Sequence, residues 1–385
     1  TLTTEDIPGD ESCCSVTYAE LPQDVKRGDT ILLDDGLVCL TVEETDVSHI
    51  CCRVENDGVM KNNKGVNVPG VRLAMPYMSQ KDRDDILFGA QQGFDFIAAS
   101  FVRSAEDVRE IRRLLDSVGS KIRIIAKIEN QEGISNLSEI IAVADGVMVA
   151  RGDMGVEIDF TEIPILQKQM IAQCMACGKP VITATQMLES MTTSPIPTRA
   201  EITDVANAVF DGTTAVMLSG ETAAGKYPVE AVATMAKIAM QAETDQPKVP
   251  SRNMIWHEMD AMDVTNAVGH AACTLAKDIN AAAIMAITKT GYTARRMSKF
   301  RPDIMIIGAT PYEKTYHQLS LIWGVTPLMA NYRYEIEDLF GHCARKALRA
   351  GLIKEGSNIV ISAGVPVDVP GNTNIIRVME ANYEK

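Results

Sequence analysis

Over the first 76 residues apolar and polar positions alternate in short runs. Thr30-Ile31-Leu32-Leu33, Val38-Cys39-Leu40-Thr41-Val42 and His49-Ile50-Cys51-Cys52-Arg53-Val54 are separated by Asp-Gly turns at Asp35-Gly36 and Asp57-Gly58. Runs of this length with such turns predict a small antiparallel β-domain or barrel. The stretch from Asn62 to Gly70 then reads as a loop returning to another domain. From Ser79 the rhythm changes to helix, strand, helix, strand. Ser79 with Asp82, and Ser104 with Asp107, are capping-box starts, the second followed by Val108, Ile111, Leu114 and Leu115 on one helical face. Between the helices lie five short apolar runs, at 94–100, 122–128, 146–150, 180–185 and 215–219, which predict parallel strands covered on both faces. Each ends in polar or ionisable residues, and chemistry collected at successive strand C-termini is the layout of a (β/α)₈ barrel.

A polar, Pro-containing linker follows at 244–253, and the remaining ~130 residues, an ordinary domain size, repeat the α/β alternation with strands expected at 281–287, 304–307, 358–361 and 374–378. The expected division is therefore a β-rich lid at 1–76, a barrel unit at 77–245 and a C-terminal α/β unit at 246–385.

Composition narrows the function classes. The chain has 385 residues and a net charge of −14, with 46 % apolar and 23 % charged residues, which excludes a disordered, collagen-like or disulfide-stapled chain. The acidic balance argues against a dedicated nucleic-acid binder, whose phosphate contacts come from Lys and Arg. No apolar run approaches the ~20 residues of a membrane span, and no basic segment followed by an apolar one opens the chain. Nine scattered cysteines fit free thiols in a reducing cytoplasm. Cys174 and Cys177 have C-x-x-C spacing inside a helical pattern and read as buried free thiols. Met75, Met78, Met187 and Met191 read as core fillers.

The sharpest constellation is Lys127, Glu129 and Asp153. Strand alternation gives Lys127 and Glu129 one facing where the strand ends, and Asp153 lies just past the next strand. Two carboxylates beside a lysine suit a divalent cation with positions open to substrate oxygens. They equally suit a structural salt bridge at the barrel mouth. Arg151-Gly152-Asp153-Met154-Gly155 could bind an anion at a helix start, or be an ordinary βα turn. Thr185 could offer its hydroxyl to substrate, or cap a strand. Thr288-Lys289-Thr290-Gly291-Tyr292-Thr293 is a second candidate phosphate cradle, or a capped loop. Arg295, Arg296, Lys299 and Arg301 extend it into a basic helix face, expected to be solvated or a subunit contact. The histidines show no metal spacing.

These residues together resemble the pyruvate kinase family. The run from Ile122 to Ile134 is similar to that family's signature around its catalytic lysine and metal-binding glutamate. Met148 to Gly155, Ile182 to Leu188, Pro197 to Glu201 and Met217 to Glu221 follow as further family motifs in family order, and the likeness runs over essentially the whole chain. The resemblance implies phosphoryl transfer from phosphoenolpyruvate to ADP, giving pyruvate and ATP. It implies that Lys127 stabilises the phosphoryl group in flight and that Glu129 and Asp153 ligate Mg²⁺ (or Mn²⁺). It also implies that Gly152, Asp153 and Thr185 cradle the substrate carboxylate, with Thr185 on the proton path to the enolate. Lys64 and Asp35 match lid positions near the nucleotide phosphates. Thr288, Lys289, Thr290, Gly291 and Thr293 match the phosphate loop of a sugar-phosphate or nucleotide effector. A cytoplasmic homotetramer is implied as well.

The departures matter too. The family's first three barrel strands precede the lid, and their segments, which hold K⁺ and part of the nucleotide site, have no counterpart among these residues. The expectation is a truncated record of a longer protein, with 1–385 alone prone to aggregate and not a competent kinase, since five strands cannot close an eight-stranded barrel. Two other readings remain at this point. One is a Mg²⁺-dependent barrel aldolase or lyase; the other is a fragment with effector-binding or oligomerisation capacity only.

Overall fold

Three separate sheets organise the chain in the computed structural model, which describes residues 1–245, 263–331, 333, 335–365 and 372–383. The expected linker at 244–253 and the boundary at 245/246 fall largely outside the described residues, as does most of the loop at 364–371.

The first sheet contains β1 (Leu2–Thr3), β2 (Cys14–Ser15), β3 (Thr30–Leu33), β4 (Val38–Thr45), β5 (His49–Val54) and β6 (Val66–Asn67), in the order β2-β1-β5-β4-β3-β6. The three long antiparallel strands are those the alternation predicts; Ile31, Leu33, Val38, Leu40, Val42 and Ile50 point inward to one small core. The short strands β1, β2 and β6 are not visible in the pattern, because two residues carry no period.

The second sheet is parallel throughout: β7 (Phe96–Ala99), β8 (Arg123–Ile128), β9 (Gly146–Ala150), β10 (Val181–Ala184) and β11 (Ala215–Val216), in the order β11-β10-β9-β8-β7. Among the described residues it is an open sheet of five strands. The strands start later or stop earlier than the apolar runs suggest, since 94–95, 122, 180 and 217–219 lie in the turns around them. Helices Gln80–Gln91 and Ala105–Ser117 begin with the two expected capping boxes. A third, Thr198 with Glu201, starts Arg199–Asp211. Gly146, at the start of β9, leaves no room for a side chain: a Cβ would sit 2.7 Å from Ile125 Cδ1 of β8 and 2.7 Å from the Pro180 carbonyl oxygen just ahead of β10. Parallel register pairs Lys127 with Met148 and Ala150 with Ala184, so residues following β8, β9 and β10 emerge at one end of the sheet. Of the methionines, Met78, Met187 and Met191 are buried, but Met75 is exposed, and so is Cys177.

The third sheet contains β12 (Ala283–Ile287), β13 (Ile306–Thr310), β14 (Val325–Met329), β15 (Asn358–Ala363) and β16 (Ile375–Glu380), in the order β14-β13-β12-β15-β16. The sequence reading misses β14, an edge strand with Pro327 in it, and does not foresee that β16 runs antiparallel. The basic face after residue 294 is not a solvated face but is engaged within the chain. Lys299 is buried, Arg296 donates to the Cys177 carbonyl, and Arg301 donates to the Gly212 carbonyl at 2.6 Å while stacking on Trp323. It is a contact between the second and third sheets' units.

A polar joint links those units at the N-terminal ends of β8 and β9. Asp145 accepts from Arg112 (2.7 Å), Arg123 (3.2 Å) and the Ile124 N–H (2.9 Å). Arg123 also donates to Gln318 Oε1 at 2.9 Å and to the Thr290 carbonyl at 2.7 Å. Removing one partner of a largely buried pair strands the others without compensation. Asp145→Ala is therefore expected to lower the unfolding free energy by about 2–4 kcal/mol, discounted for partial exposure. A denaturation midpoint shifted by under a quarter of that would mean that water, not Asp145, serves the two arginines.

Candidate active site

At the C-terminal end of β8 the period of two places Lys127 and Glu129 side by side. Lys127 Nζ lies 2.6 Å from Glu129 Oε1 and donates to Ser100 Oγ at 3.0 Å. The Glu129 side chain is only 1 % exposed. Its Oε2 accepts the Phe101 N–H at 2.5 Å, and Oε1 is held by the Lys127 ammonium, its ion-pair partner. Burial pushes the Glu129 carboxyl above its ordinary range and Asp153 adds to this, against the opposing pull of Lys127 and the Phe101 N–H. The structural salt bridge weighed from spacing thus exists. It also places a buried carboxylate within electrostatic reach of Asp153, and two carboxylates together are what an oxygen-seeking cation would use.

Asp153 stands in the first turn of helix Arg151–Glu157, which starts directly where β9 ends. Next to it, the Gly152 N–H donates to Thr185 Oγ1 at 2.8 Å. Thr185 and Gln186 have φ of 65° and 52°, and Phe101 has 51°. Left-handed backbone at non-glycine residues is uncommon and clusters where a site over-determines the chain. Here all three residues follow strand ends at the same rim. The Thr185 turn is held by Arg151, which donates to the Thr185 carbonyl (2.7 Å) and pairs with Asp204 (2.6 Å). The sequence reading gives no role to Ser100, Phe101 or Asp204, and takes Arg151 only as part of a candidate anion-binding turn. Ser100 and Arg151 carry a usable signal, since both lie in the polar ends of predicted strands. The Phe101 N–H and Asp204 carry none.

The structure therefore brings Lys127, Glu129, Asp153, Gly152 and Thr185 to one rim. It does not join the lid candidates to them by any hydrogen bond or ion pair among the described residues. Lys64 pairs with Asp34 Oδ1 at 2.7 Å, while Asp35 is exposed. In the 288–293 loop, between β12 and helix Tyr292–Ser298, Thr288 and Thr293 are buried and Thr293 Oγ1 lies 2.8 Å from Thr373 Oγ1. The Thr290 carbonyl receives Arg123 and Arg295, the Lys289 carbonyl receives the Thr315 hydroxyl, and Gly291 is buried, so Lys289 and Thr290 are the more exposed residues of this loop. A groove of about 1080 Å³ runs between lid and barrel along β7. It is walled in part by Asn67, Tyr77, Glu132 and Glu157, and reaches the Lys127 cluster at Ser100 and Phe101.

Such a rim can hold a divalent cation on two carboxylates, present a lysine to an anionic group and offer backbone N–H groups to a carboxylate. A family model described as "Pyruvate kinase, barrel domain" matches residues 2–232, and one described as "Pyruvate kinase, alpha/beta domain" matches 266–379. The chain is 48 % identical to a pyruvate kinase of Clostridium acetobutylicum over 97 % of its own length and 79 % of that protein. Against the pyruvate kinase of Geobacillus stearothermophilus the identity is 48 %, over 98 % of this chain but 65 % of that one. A crystal structure of a pyruvate kinase from Cryptosporidium parvum superposes with a TM-score of 0.87 at 38 % identity, covering 99 % of this chain and 78 % of the other.

Proposed function

The chain belongs to the pyruvate kinase family, and from that premise we propose that its protein transfers the phosphoryl group of phosphoenolpyruvate to ADP at the Lys127 rim. The observation that carries this is the buried Lys127–Glu129 pair beside Asp153 at the ends of adjacent parallel strands.

In this reading Lys127 turns its ammonium to the oxygens of the phosphoryl group, where negative charge is spread during transfer. Ser100 and Glu129 fix that ammonium from two sides. The Gly152 and Asp153 N–H groups receive the substrate carboxylate; Gly152 N–H now points at Thr185 Oγ1, so the carboxylate would take the place of that hydroxyl. Thr185, held in its left-handed turn by Arg151, lies on the proton path to the enolate. Glu129 and Asp153 fit Mg²⁺ or Mn²⁺, which keeps most of its ligands as water and substrate oxygens when few carboxylates are offered. Its chemistry there is to neutralise phosphoryl charge between substrate and protein. K⁺ belongs to the same proposal on family grounds.

The proposal extends to Lys64 and Asp35 near the nucleotide phosphates, and to Thr288, Lys289, Thr290, Gly291 and Thr293 as an effector phosphate loop. It includes the division at 1–76, 77–245 and 246–385, supported by buried apolar clusters that lie within each unit, a cytoplasmic site of action and a homotetramer. Among the described residues no helix is long and apolar enough to cross a membrane. The test is a coupled assay on the full-length protein: ATP appearing from phosphoenolpyruvate and ADP only with Mg²⁺ or Mn²⁺ present. Carbon–carbon cleavage without ATP formation would replace the proposal by a lyase.

A further inference from the structure

The lid touches the barrel in two places besides the chain that joins them. Asn67, in β6 at the lid sheet's edge, donates from Nδ2 to Glu157 Oε1 at 2.8 Å. Among the described residues this is the one hydrogen bond or ion pair between residues 1–67 and residues beyond 76. Beside it, the lid turn at Gly36 comes down on the preceding residue, Val156: a Cβ on Gly36 would be 3.9 Å from Val156 Cγ1. Gly36 has φ of 86°, so a side chain there would be strained as well as close.

The connecting segment is pinned on both sides. The Ala74 N–H donates to Asp24 of the lid at 2.9 Å, and Arg103 of the barrel donates to the Met75 carbonyl at 3.4 Å. That segment is thus tied to both units, and the Asn67–Glu157 contact adds a third tie where the chain leaves β6. Glu157 is the last residue of helix Arg151–Glu157, whose first turn carries Gly152 and Asp153. The carboxyl is half-buried in the groove wall, and burial pushes it above its ordinary range. A side chain left there without Asn67 would lose its one hydrogen-bond partner.

We propose that Asn67 and Glu157 are the latch that holds the lid over the cleft, and that Glu157 is a positioning residue which transmits lid closure along helix Arg151–Glu157 to the Gly152–Asp153 end. The role assumed for that end rests on the proposed function; the latch itself does not.

Two measurements on the full-length protein separate the two. Hydrogen exchange at 65–68 and 154–158 is expected to speed up about three- to tenfold in Asn67→Ala and in Glu157→Ala, the range of one net hydrogen bond. The double variant should be no faster than either single one. Glu157→Gln, whose amide oxygen still accepts from Asn67, should exchange like the parent. In the phosphoenolpyruvate–ADP assay the Ala variants should raise KM for ADP by a similar factor with kcat less affected, and Glu157→Gln should restore it. Unchanged melting temperatures would show that the fold is not the cause. Exchange rates unaltered by Asn67→Ala, or additive losses in the double variant, would overturn the latch. Faster exchange with no kinetic change would overturn the positioning role. A parent without kinase activity but with the exchange pattern intact would remove the proposed function and leave the latch standing.

Discussion

Lys127→Met in the full-length protein is expected to lower kcat by at least about 10²–10³-fold, the usual loss for one transition-state electrostatic contact. KM for phosphoenolpyruvate should move far less, because the interaction is strongest where the phosphoryl charge is spread most widely. The same change leaves Glu129, 1 % exposed, without its cation. That carboxyl is already pushed upward by burial, so it can take a proton instead of standing as an unpaired buried charge, and the fold is expected to survive. Steady-state kinetics with circular dichroism on the same sample checks both halves. Near-normal turnover would remove Lys127 from the chemistry and leave the pair as a structural bridge.

The second large effect concerns the two carboxylates. Glu129→Ala and Asp153→Ala are each expected to raise the Mg²⁺ requirement at least about tenfold and to cut turnover about 10²-fold, since a shared cation contributes several kcal/mol of charge stabilisation. Once one ligand is gone the other has little left to hold, so the double variant should lose much less than the product of the two. Titrating Mg²⁺ for the four proteins reads this directly. Multiplicative losses at an unchanged Mg²⁺ requirement would mean that Glu129 serves Lys127 alone.

How much of this was legible beforehand follows from how far apart the interacting residues are. The pairing of Lys127 with Glu129 is a property of one strand: a period of two puts them on one face wherever that strand lies. The capping boxes at Ser79 and Ser104 are equally local, closed within four residues. The parallel strands of the second sheet show because both of their faces are covered, which writes a continuous apolar run into the chain. The ordered motifs from Ile122 to Glu221 identified the family, which the comparisons bear out.

Other features depend on which segments meet. Lys64 faces Asp34 and not Asp35 because two successive left-handed residues turn Asp35 outward. The basic run after residue 294 looks like a solvated face until it is seen packed on Cys177 and Gly212, some ninety to one hundred and twenty positions earlier in the chain. The Phe101 N–H reaches Glu129 only because β7 and β8 are neighbours and the chain after β7 turns left-handed. Arg151 finds Asp204 across the rim, and Asn67 finds Glu157 across the cleft. The sequence by itself determined the longer strands of the first two sheets, their facing and the chemical identities at their ends, since those are set by periods of two to four residues. The tertiary structure decided which backbone N–H holds Glu129, which arginine braces Thr185 and what fastens the lid, since each needs two distant segments to reach hydrogen-bond distance.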